Sequence, residues 1–182
     1  MHKLNENSVL ILTGAPGSGK TTAAQLLAAK FERSVHLESD RFFDFIQAGY
    51  MEPWRAESHT QNTTVMSVVA GAAAGYAAAG YFTIVDGIIS PRWFFQPLRD
   101  SLHAFGHSVT YAVLRAPLSV CQQRVASRAP DQLQDPAVVK RLWQDFADLG
   151  PLERHCIESG TGTAAATAVT LAERLRNGLL LT

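Results

Sequence analysis

The chain has 182 residues, a hydrophobic fraction of 47% and equal numbers of basic and acidic residues, 16 of each. This length and apolar content fit one compact domain over residues 1–182 and exclude wholesale disorder. The zero net charge gives no global field for nucleic acid or an anionic membrane. Two separated cysteines without an apolar leader predict a cytoplasmic protein, and the sequence leaves monomer and homodimer open.

Apolar segments rich in branched side chains predict five β-strands, with helix-forming segments between them. The predicted strands are residues 9–13, 35–38, 81–86, 109–115 and 155–157. The predicted helices are residues 20–31, 41–47, 56–79, 118–128, 138–149 and 164–176. Because parallel strands need crossover connections, this alternation predicts an α/β fold with a parallel sheet and helices on both faces.

The segment from Ser58 to Val85 carries no charged residue and is long enough to span a bilayer. Its first part is weakly apolar, whereas the residues after Gly80 are aromatic and β-branched. This change predicts a helix outside the membrane, with Gly71 and Gly75 allowing close packing, followed by a buried strand.

Residues 14–21 match the pattern GxxxxGK[ST] at every fixed position, between a predicted strand and a predicted helix. Glycines in this motif let backbone N–H groups point at phosphate oxygens, and the helix N-terminus adds positive potential. We expect Lys20 to contact the β- and γ-phosphates of ATP and the Thr21 hydroxyl to ligate Mg²⁺. The predicted phosphate-binding residues are Gly14, Ala15, Pro16, Gly17, Ser18, Gly19, Lys20, Thr21 and Thr22.

Four blocks of sequence resemble the small P-loop kinases, which include adenylate, shikimate and gluconate kinases and the chloramphenicol phosphotransferases. The blocks are GAPGSGKTT, HLESDRFFDFI, TIVDGIISPRWF and VLRAPLSVCQQRVASR. The resemblance implies a three-layer P-loop NTPase fold, with an acceptor-binding insertion at about residues 39–80 and a small lid at about residues 128–137. The chain looks most like a bacterial group of ATP-binding proteins in this superfamily whose substrate is not settled.

Two carboxylates follow predicted strands. Asp86 ends the third strand after apolar neighbours, as in the Walker B pattern, and is predicted to reach Mg²⁺. Asp40 lies just past the second strand, where the resembling kinases place residues that meet the phosphoryl acceptor. A carboxylate there can orient an acceptor hydroxyl, and its alternative role is the N-cap of a helix that starts at Arg41.

Arg124 and Arg128 are four residues apart, so on one helix both guanidinium groups would face the same way, just before the lid. Related kinases use arginines there to neutralise the transferring phosphoryl group as the lid closes. Together with Lys20 and Asp40 they are the candidate catalytic residues, although a solvated helix face is the alternative.

Aromatic and charged residues flank the expected acceptor site. The candidate acceptor-binding residues are Asp40, Arg41, Trp54, Arg92 and Trp93. Aromatic walls suit a base, an aryl group or a sugar, and the excess of acids over arginines near residues 38–57 favours a hydroxylated or cationic acceptor over a nucleoside monophosphate. Gln61 and Asn62 could reach a ligand from the long helix, but the preferred interpretation is that they are exposed or N-terminal helix amides.

These observations predict an ATP-dependent phosphotransferase that acts on a hydroxyl of a small molecule, with Mg²⁺ as cofactor and with no nucleic-acid or membrane partner. One alternative is a nucleoside monophosphate kinase of the cytidylate or adenylate type. The other is a switch NTPase that binds ATP without transferring phosphate, which the lack of the NKxD and DxxG patterns disfavours.

Overall fold

The computed structural model describes residues 8–129 and 133–182. The strands in these residues are β1 (Ser8–Gly14), β2 (Ser34–Glu38), β3 (Phe82–Gly87), β4 (Ser108–Arg115) and β5 (Cys156–Glu158). They pair in parallel in the order β2-β3-β1-β4-β5. The predicted five-stranded parallel sheet is therefore confirmed.

Helices connect consecutive strands and cover the sheet. The α-helices of the described residues are α1 (Lys20–Ala28), α2 (His59–Ala78), α3 (Phe95–Ala104), α4 (Leu118–Ala126), α5 (Pro136–Gln144) and α6 (Ala164–Arg176). Short 3-10 helices cover Ser39–Phe42, Ala56–Ser58 and Gly150–His155.

The core has two layers, one on each face of the sheet, because side chains alternate between faces along a strand. Val9 and Ile11 of β1 pack in one layer with buried side chains of α2, α3, α4 and α5. Leu10 and Leu12 pack in the other layer with α1 and α6. The three-layer arrangement predicted from the sequence is confirmed.

The prediction of a helix over residues 41–47 is wrong. The chain forms only the 3-10 helix Ser39–Phe42 and then turns. The aromatic residues here do not share one apolar helical face, since Phe43 is buried and Phe45 is 73% exposed. Asp40 is also not an N-cap, because the 3-10 helix begins one residue before it and Glu38 occupies the N-cap position without a side-chain hydrogen bond.

Helix α3 does not appear among the predicted elements, because Pro97 interrupts its sequence pattern. Pro97 lies in the first turn of the helix, where its missing N–H is not needed. The helix predicted over residues 138–149 instead begins at Pro136, since Asp135 caps it by accepting hydrogen bonds from Ala137 N at 2.8 Å and Val138 N at 3.4 Å. Of the predicted lid, residues 130–132 lie outside the described residues.

The long uncharged segment forms a helix followed by a strand, as predicted, but the prediction of close packing at Gly71 and Gly75 is wrong, because an added Cβ atom would meet no atom within 4 Å at either position. It comprises α2, the turn after it and most of β3, and both elements contribute to the core. Within the described ranges, no helix combines the length and the apolar character needed to cross a membrane.

The carboxyl ends of β1, β2 and β3 bring the predicted functional residues to one edge of the sheet. The phosphate loop, residues 14–21, follows β1, and Asp86 in β3 is in register with Leu12 on one side and Glu38 on the other. Ligands of open α/β sheets bind at this edge, where neighbouring connections leave in opposite directions. The topology therefore places the candidate site here.

Candidate active site

The phosphate loop is built on glycines whose backbone conformations exclude other residues. Gly17 has a φ of +81°, and a Cβ atom on it would lie 2.6 Å from the carbonyl oxygen of Cys121. Gly19, the residue before α1, has a φ of +96°. These left-handed conformations turn the chain directly into the N-terminus of α1, where free backbone N–H groups favour an anion.

Lys20 folds back inside the loop. Its Nζ donates hydrogen bonds to Gly14 O at 3.0 Å and Ala15 O at 3.2 Å, and the side chain is buried. Burial lowers the pKa of the Lys20 amine, while the nearby carboxylates of Asp86 and Asp40 act in the opposite direction. The ammonium group is thus held at the centre of the loop by carbonyl groups and neighbouring acids.

Asp86 connects the phosphate loop to β2. Its Oδ2 accepts a hydrogen bond from Thr21 Oγ1 at 2.7 Å and lies 3.2 Å from Nε2 of His36. The carboxylate is 97% buried, and its second oxygen, Oδ1, has no hydrogen-bond partner within the described residues. A buried carboxylate oxygen without a partner is costly, so this atom is available for a further ligand.

The pair formed by Thr21 and Asp86 has the chemistry of a magnesium site. A hydroxyl and a carboxylate supply hard oxygen ligands, and Mg²⁺ keeps several waters and phosphate oxygens in addition to one or two protein ligands. In the described part of the chain, no three His, Cys, Asp or Glu side chains cluster as an all-protein metal site would require. The unpartnered Oδ1 of Asp86 therefore fits a metal that is shared with phosphate groups.

His36 contacts Asp86 in the site, and the sequence analysis did not identify this residue. It lies in the middle of β2, with a side chain 12% exposed. The register of β2 against β3 pairs His36 with Ile84 and brings its ring to the Asp86 carboxylate. A lone histidine in an apolar strand gives no motif, so only the pairing of the strands could have revealed this contact.

Two cavities open on the two sides of the phosphate loop. The larger, of about 930 Å³, is lined by Lys20, Thr21, Asp40 and Asp86 among others. The smaller, of about 190 Å³, is lined by Ser18, Gly19 and Thr22 of the loop region, by Arg124 and by the segment before α6. The loop thus forms part of the wall of both cavities.

The segment before α6 contributes to the site, although it is not among the candidate residues of the sequence analysis. In the structure, Ser159, Gly160 and Gly162 line the smaller cavity, and the Ser159 hydroxyl donates a hydrogen bond to Ser18 O at 3.0 Å. Gly160 was the available signal, because a Cβ atom on it would lie 2.9 Å from the Cβ of Ala116, so the backbone approaches that residue closely.

Asp40 lines the larger cavity, where it is exposed and interacts electrostatically with Lys20 and Asp86. Desolvation within the cavity raises the pKa of its carboxyl group, Lys20 counteracts this effect, and the negative charge of Asp86 adds to it. A carboxylate with a raised pKa in a cleft has the character of a group that exchanges protons with a ligand.

Arg124 and Arg128 do not face the same space, which corrects the prediction. Helix α4 ends at Ala126, so Arg128 lies beyond the helix and the spacing of four no longer aligns the two side chains. Arg124 lines the smaller cavity and donates from Nη1 to Gly17 O at 3.1 Å, whereas Arg128 lines the larger cavity.

The remaining predicted acceptor residues are divided between the larger cavity and the surface. Arg41, Trp54 and Trp93 line the cavity, together with aromatic neighbours such as Phe43 and Tyr50. Arg92 is exposed and is not among the lining residues of either cavity. Its charge instead acts on Asp145.

Asn62 also departs from its interpretation as an exposed amide. Its side chain is 98% buried and lines the larger cavity, whereas Gln61 bonds to the backbone of Met51 through both of its amide atoms, at 2.6 and 2.8 Å. The helix α2 is weakly apolar all round, so its sequence pattern does not show which face is buried.

A phosphate loop at the carboxyl edge of a five-stranded parallel sheet defines a nucleotide-binding protein of the P-loop class. The family model of the AAA domain matches residues 9–149, and the chain belongs to this family. Its structural neighbours include a shikimate kinase and an APS kinase, which confirms the fold expected from the resemblance seen in the sequence.

Solved structures of similar fold cover nearly the whole chain. The Deinococcus radiodurans tunicamycin resistance protein is 18% identical, with a TM-score of 0.66 over 97% of this chain and 98% of that one. Shikimate kinase from Acinetobacter baumannii, in complex with shikimate, is 22% identical, with a TM-score of 0.63 over 94% of each chain. The APS kinase of Mycobacterium tuberculosis, in complex with AMPPNP and APS, is 16% identical, with a TM-score of 0.64 over 93% of this chain and 97% of that one. None of the curated proteins matches the sequence.

Proposed function

We propose that the protein is an ATP-dependent phosphotransferase that moves the γ-phosphoryl group of ATP to a hydroxyl of a small molecule. The observation that carries the proposal is the position of the phosphate loop between two cavities, with Thr22 lining the smaller and Lys20 and Thr21 lining the larger. Phosphoryl transfer depends mainly on holding donor and acceptor in line, and adjoining sites on a shared loop meet that need.

In this proposal each charged residue of the site has a separate role. The loop N–H groups and Lys20 hold the β- and γ-phosphates, and Arg128 neutralises negative charge on the transferring group. Thr21 and Asp86 would hold Mg²⁺, which when bound supplies charge neutralisation between the phosphates. Asp40 orients the acceptor hydroxyl and takes its proton as the new O–P bond forms and the bond to ADP breaks.

The structural neighbours support the class of reaction. Shikimate kinase binds shikimate, and APS kinase binds AMPPNP together with APS, so this fold accommodates a nucleotide and a small acceptor in one chain. At 16–22% identity these likenesses carry the fold and leave the acceptor of this protein to be defined by its own cavity.

The test is ATP turnover with Mg²⁺ across a panel of sugars, sugar acids, nucleosides, nucleoside monophosphates and hydroxylated antibiotics. Lys20→Ala should lower any acceptor-stimulated turnover by about 1,000-fold or more, because the phosphates lose their central cation. Lys30→Ala is the matched control, since Lys30 is an exposed residue just after α1. Tight ATP binding without stimulation by any member of the panel would contradict the proposal and favour a switch NTPase.

A further inference from the structure

Asn62 lines the larger cavity and carries a buried acceptor atom. Its amide nitrogen donates hydrogen bonds to Pro53 O at 2.8 Å and to Ser58 Oγ at 3.0 Å. Since a carbonyl can only accept, the atom that faces Pro53 must be nitrogen, and this fixes the orientation of the amide. The remaining atom, Oδ1, is buried and lacks a hydrogen-bond partner among the described residues.

Ser90 lines the same cavity and carries a second buried polar atom. The residue is fully buried, lines the cavity, and has a hydroxyl without a hydrogen-bond partner in the described part of the chain. Its backbone is held firmly, because Ser90 O accepts hydrogen bonds from Trp93 N at 2.9 Å and Phe95 N at 3.3 Å. The backbone of the preceding Ile89 is also held by two hydrogen bonds. Its N–H donates to Thr13 Oγ1 at 2.8 Å, and its carbonyl oxygen accepts from the Tyr111 hydroxyl at 2.9 Å.

Two such atoms in one cavity indicate a polar ligand. A buried polar atom without a partner destabilises the fold unless another molecule satisfies it. Asn62 Oδ1 can only accept a hydrogen bond, so its partner must carry a hydroxyl or an N–H group. The Ser90 hydroxyl can donate or accept, which suits a hydroxyl partner as well.

Three of the four arginines that line the larger cavity are engaged by the protein itself, and the fourth, Arg128, is assigned above to the transferring phosphoryl group. Arg41 pairs with Glu38 at 3.3 Å, and Arg55 pairs with Glu52 and Glu57, each at 3.6 Å. Arg141 donates from Nη2 to Trp54 O at 3.2 Å. A phosphorylated acceptor would need cations free to bind its phosphate group, and engaged arginines oppose such a ligand.

The cavity wall adds an apolar surface. Trp54, 39% exposed, and Trp93 both line it, and the ring of Trp93 meets that of Phe94 edge to face at 4.8 Å. Aromatic side chains of this kind suit the apolar face of a sugar or a ring system. The cavity thus combines flat apolar walls with fixed, uncharged hydrogen-bonding atoms.

We infer that Asn62 and Ser90 determine specificity in the acceptor pocket, and that the acceptor is an uncharged, hydroxylated molecule that donates a hydrogen bond to Asn62 Oδ1 and shares one with the Ser90 hydroxyl. This inference rests on the proposed function for the assignment of the cavity to the acceptor. It assigns the reacting hydroxyl to Asp40 and the recognition of other hydroxyl or N–H groups to these two residues.

The first test needs no ligand. Ser90 and Ser58 are both fully buried, but the Ser58 hydroxyl donates to Pro53 O at 3.0 Å and Arg55 O at 2.8 Å. We expect Ser58→Ala to lower the urea midpoint of unfolding and Ser90→Ala to raise it, because only Ser90 loses an unsatisfied hydroxyl. An equal loss of stability in both variants would overturn the inference, since Ser90 would then have a structural partner.

The second test measures binding in the presence of AMPPNP, so that it does not depend on phosphoryl transfer. The probes are uncharged sugars and nucleosides, each compared with its deoxy and its phosphorylated derivative, and the readout is tryptophan fluorescence. We expect at least one uncharged probe to bind about tenfold more tightly than both derivatives, and Ser90→Ala or Asn62→Ala to remove the preference over the deoxy compound. The inference would be overturned if the phosphorylated derivatives bound more tightly or if no uncharged probe bound. It would also be overturned if both variants kept the preference over the deoxy compound.

The Asn62→Asp variant distinguishes the role of the amide oxygen of Asn62 from the role of its amide nitrogen. Both Asn62→Asp and Asn62→Ala lose the N–H groups that bond to Pro53 and Ser58, but only the aspartate keeps an oxygen toward the cavity. We expect the aspartate variant to retain the preference for the hydroxylated probe that the alanine variant loses, and equal loss in the two would count against Asn62. If probes bind as expected but no phosphate is transferred, the proposed function fails and the recognition by Asn62 and Ser90 stands.

Discussion

The carboxyl group of Asp40 connects stability and activity at a single residue. Desolvation in the cavity raises its pKa above the ordinary value of 3.8, so the folded protein holds this proton to a higher pH than the unfolded chain does. The protonated carboxyl group therefore makes its whole contribution to stability at a pH below its pKa in the unfolded chain. This contribution is lost as the pH rises through its pKa in the folded protein. Near neutral pH, folding has to accommodate an unfavourable charge.

Asp40→Asn should raise the melting temperature at pH 7 only slightly, because the residue is exposed to solvent, while it lowers acceptor-stimulated turnover by about 100-fold or more. Turnover of the wild-type protein should fall as the pH drops through the raised pKa, because only the ionised carboxylate can take the proton. Thermal melts and rate profiles against pH provide the measurement. Asp100→Asn, an exposed acid paired with Arg99, is the control, and a variant that keeps the acidic limb of the profile would contradict the role of Asp40.

The assignment of Asp86 to the metal site predicts that this residue affects how ATP binding depends on Mg²⁺. Asp86→Asn keeps the shape of the side chain that contacts Thr21 and His36. It removes the negative charge that we propose binds Mg²⁺. The Mg²⁺ concentration for half-maximal binding of fluorescent ATP should rise tenfold or more, whereas binding measured in EDTA should change little. The same Mg²⁺ dependence in the variant and the wild-type protein would remove Asp86 from the metal site.

At the level of elements, the turn between β1 and α1 is set by backbone conformation and by its contact with α4. Gly17→Ala would place a Cβ atom 2.6 Å from Cys121 O at a φ of +81°. We expect a loss of about 2–4 kcal/mol in the free energy of unfolding, together with loss of ATP binding.

Gly71→Ala is the matched control, because Gly71 lies within α2 and an added Cβ meets no atom within 4 Å. This change should stabilise the protein by about 0.5–1 kcal/mol through the helix propensity of alanine. Urea unfolding of the two variants measures both effects. If Gly17→Ala unfolds at the wild-type midpoint and still binds ATP, the close contact with α4 is not what shapes the loop.

The same elements show how far the sequence leads. The strand ending at Gly14, the fixed spacing up to Lys20 and the apolar run before Asp86 are local patterns, and all three predicted their positions in the fold. The separation of Arg124 from Arg128 was not accessible, because it depends on α4 ending at Ala126. The burial of Asn62 was hidden because the sequence of α2 has no distinct apolar face, so tertiary packing alone selects its buried face.

Across the whole molecule, the sheet brings together residues that are far apart in sequence. Lys20 and Asp86 reach the same edge because β1 and β3 are neighbours, and the segments after β2 and α4 add Asp40 and Arg128 to one cavity. The segment before α6 closes the other cavity against the loop. This arrangement leads to the central claim, that one loop serves a nucleotide on one side and an acceptor on the other.

The most direct measurement follows the fate of the γ-phosphoryl group by phosphorus NMR, with ATP, Mg²⁺ and the acceptor that stimulates turnover most. The account predicts a phosphate ester of the acceptor formed in equal amount with ADP, and neither product with Lys20→Ala. Release of inorganic phosphate alone, with the acceptor unmodified, would contradict it, since the larger cavity would then not present a hydroxyl to the phosphate loop.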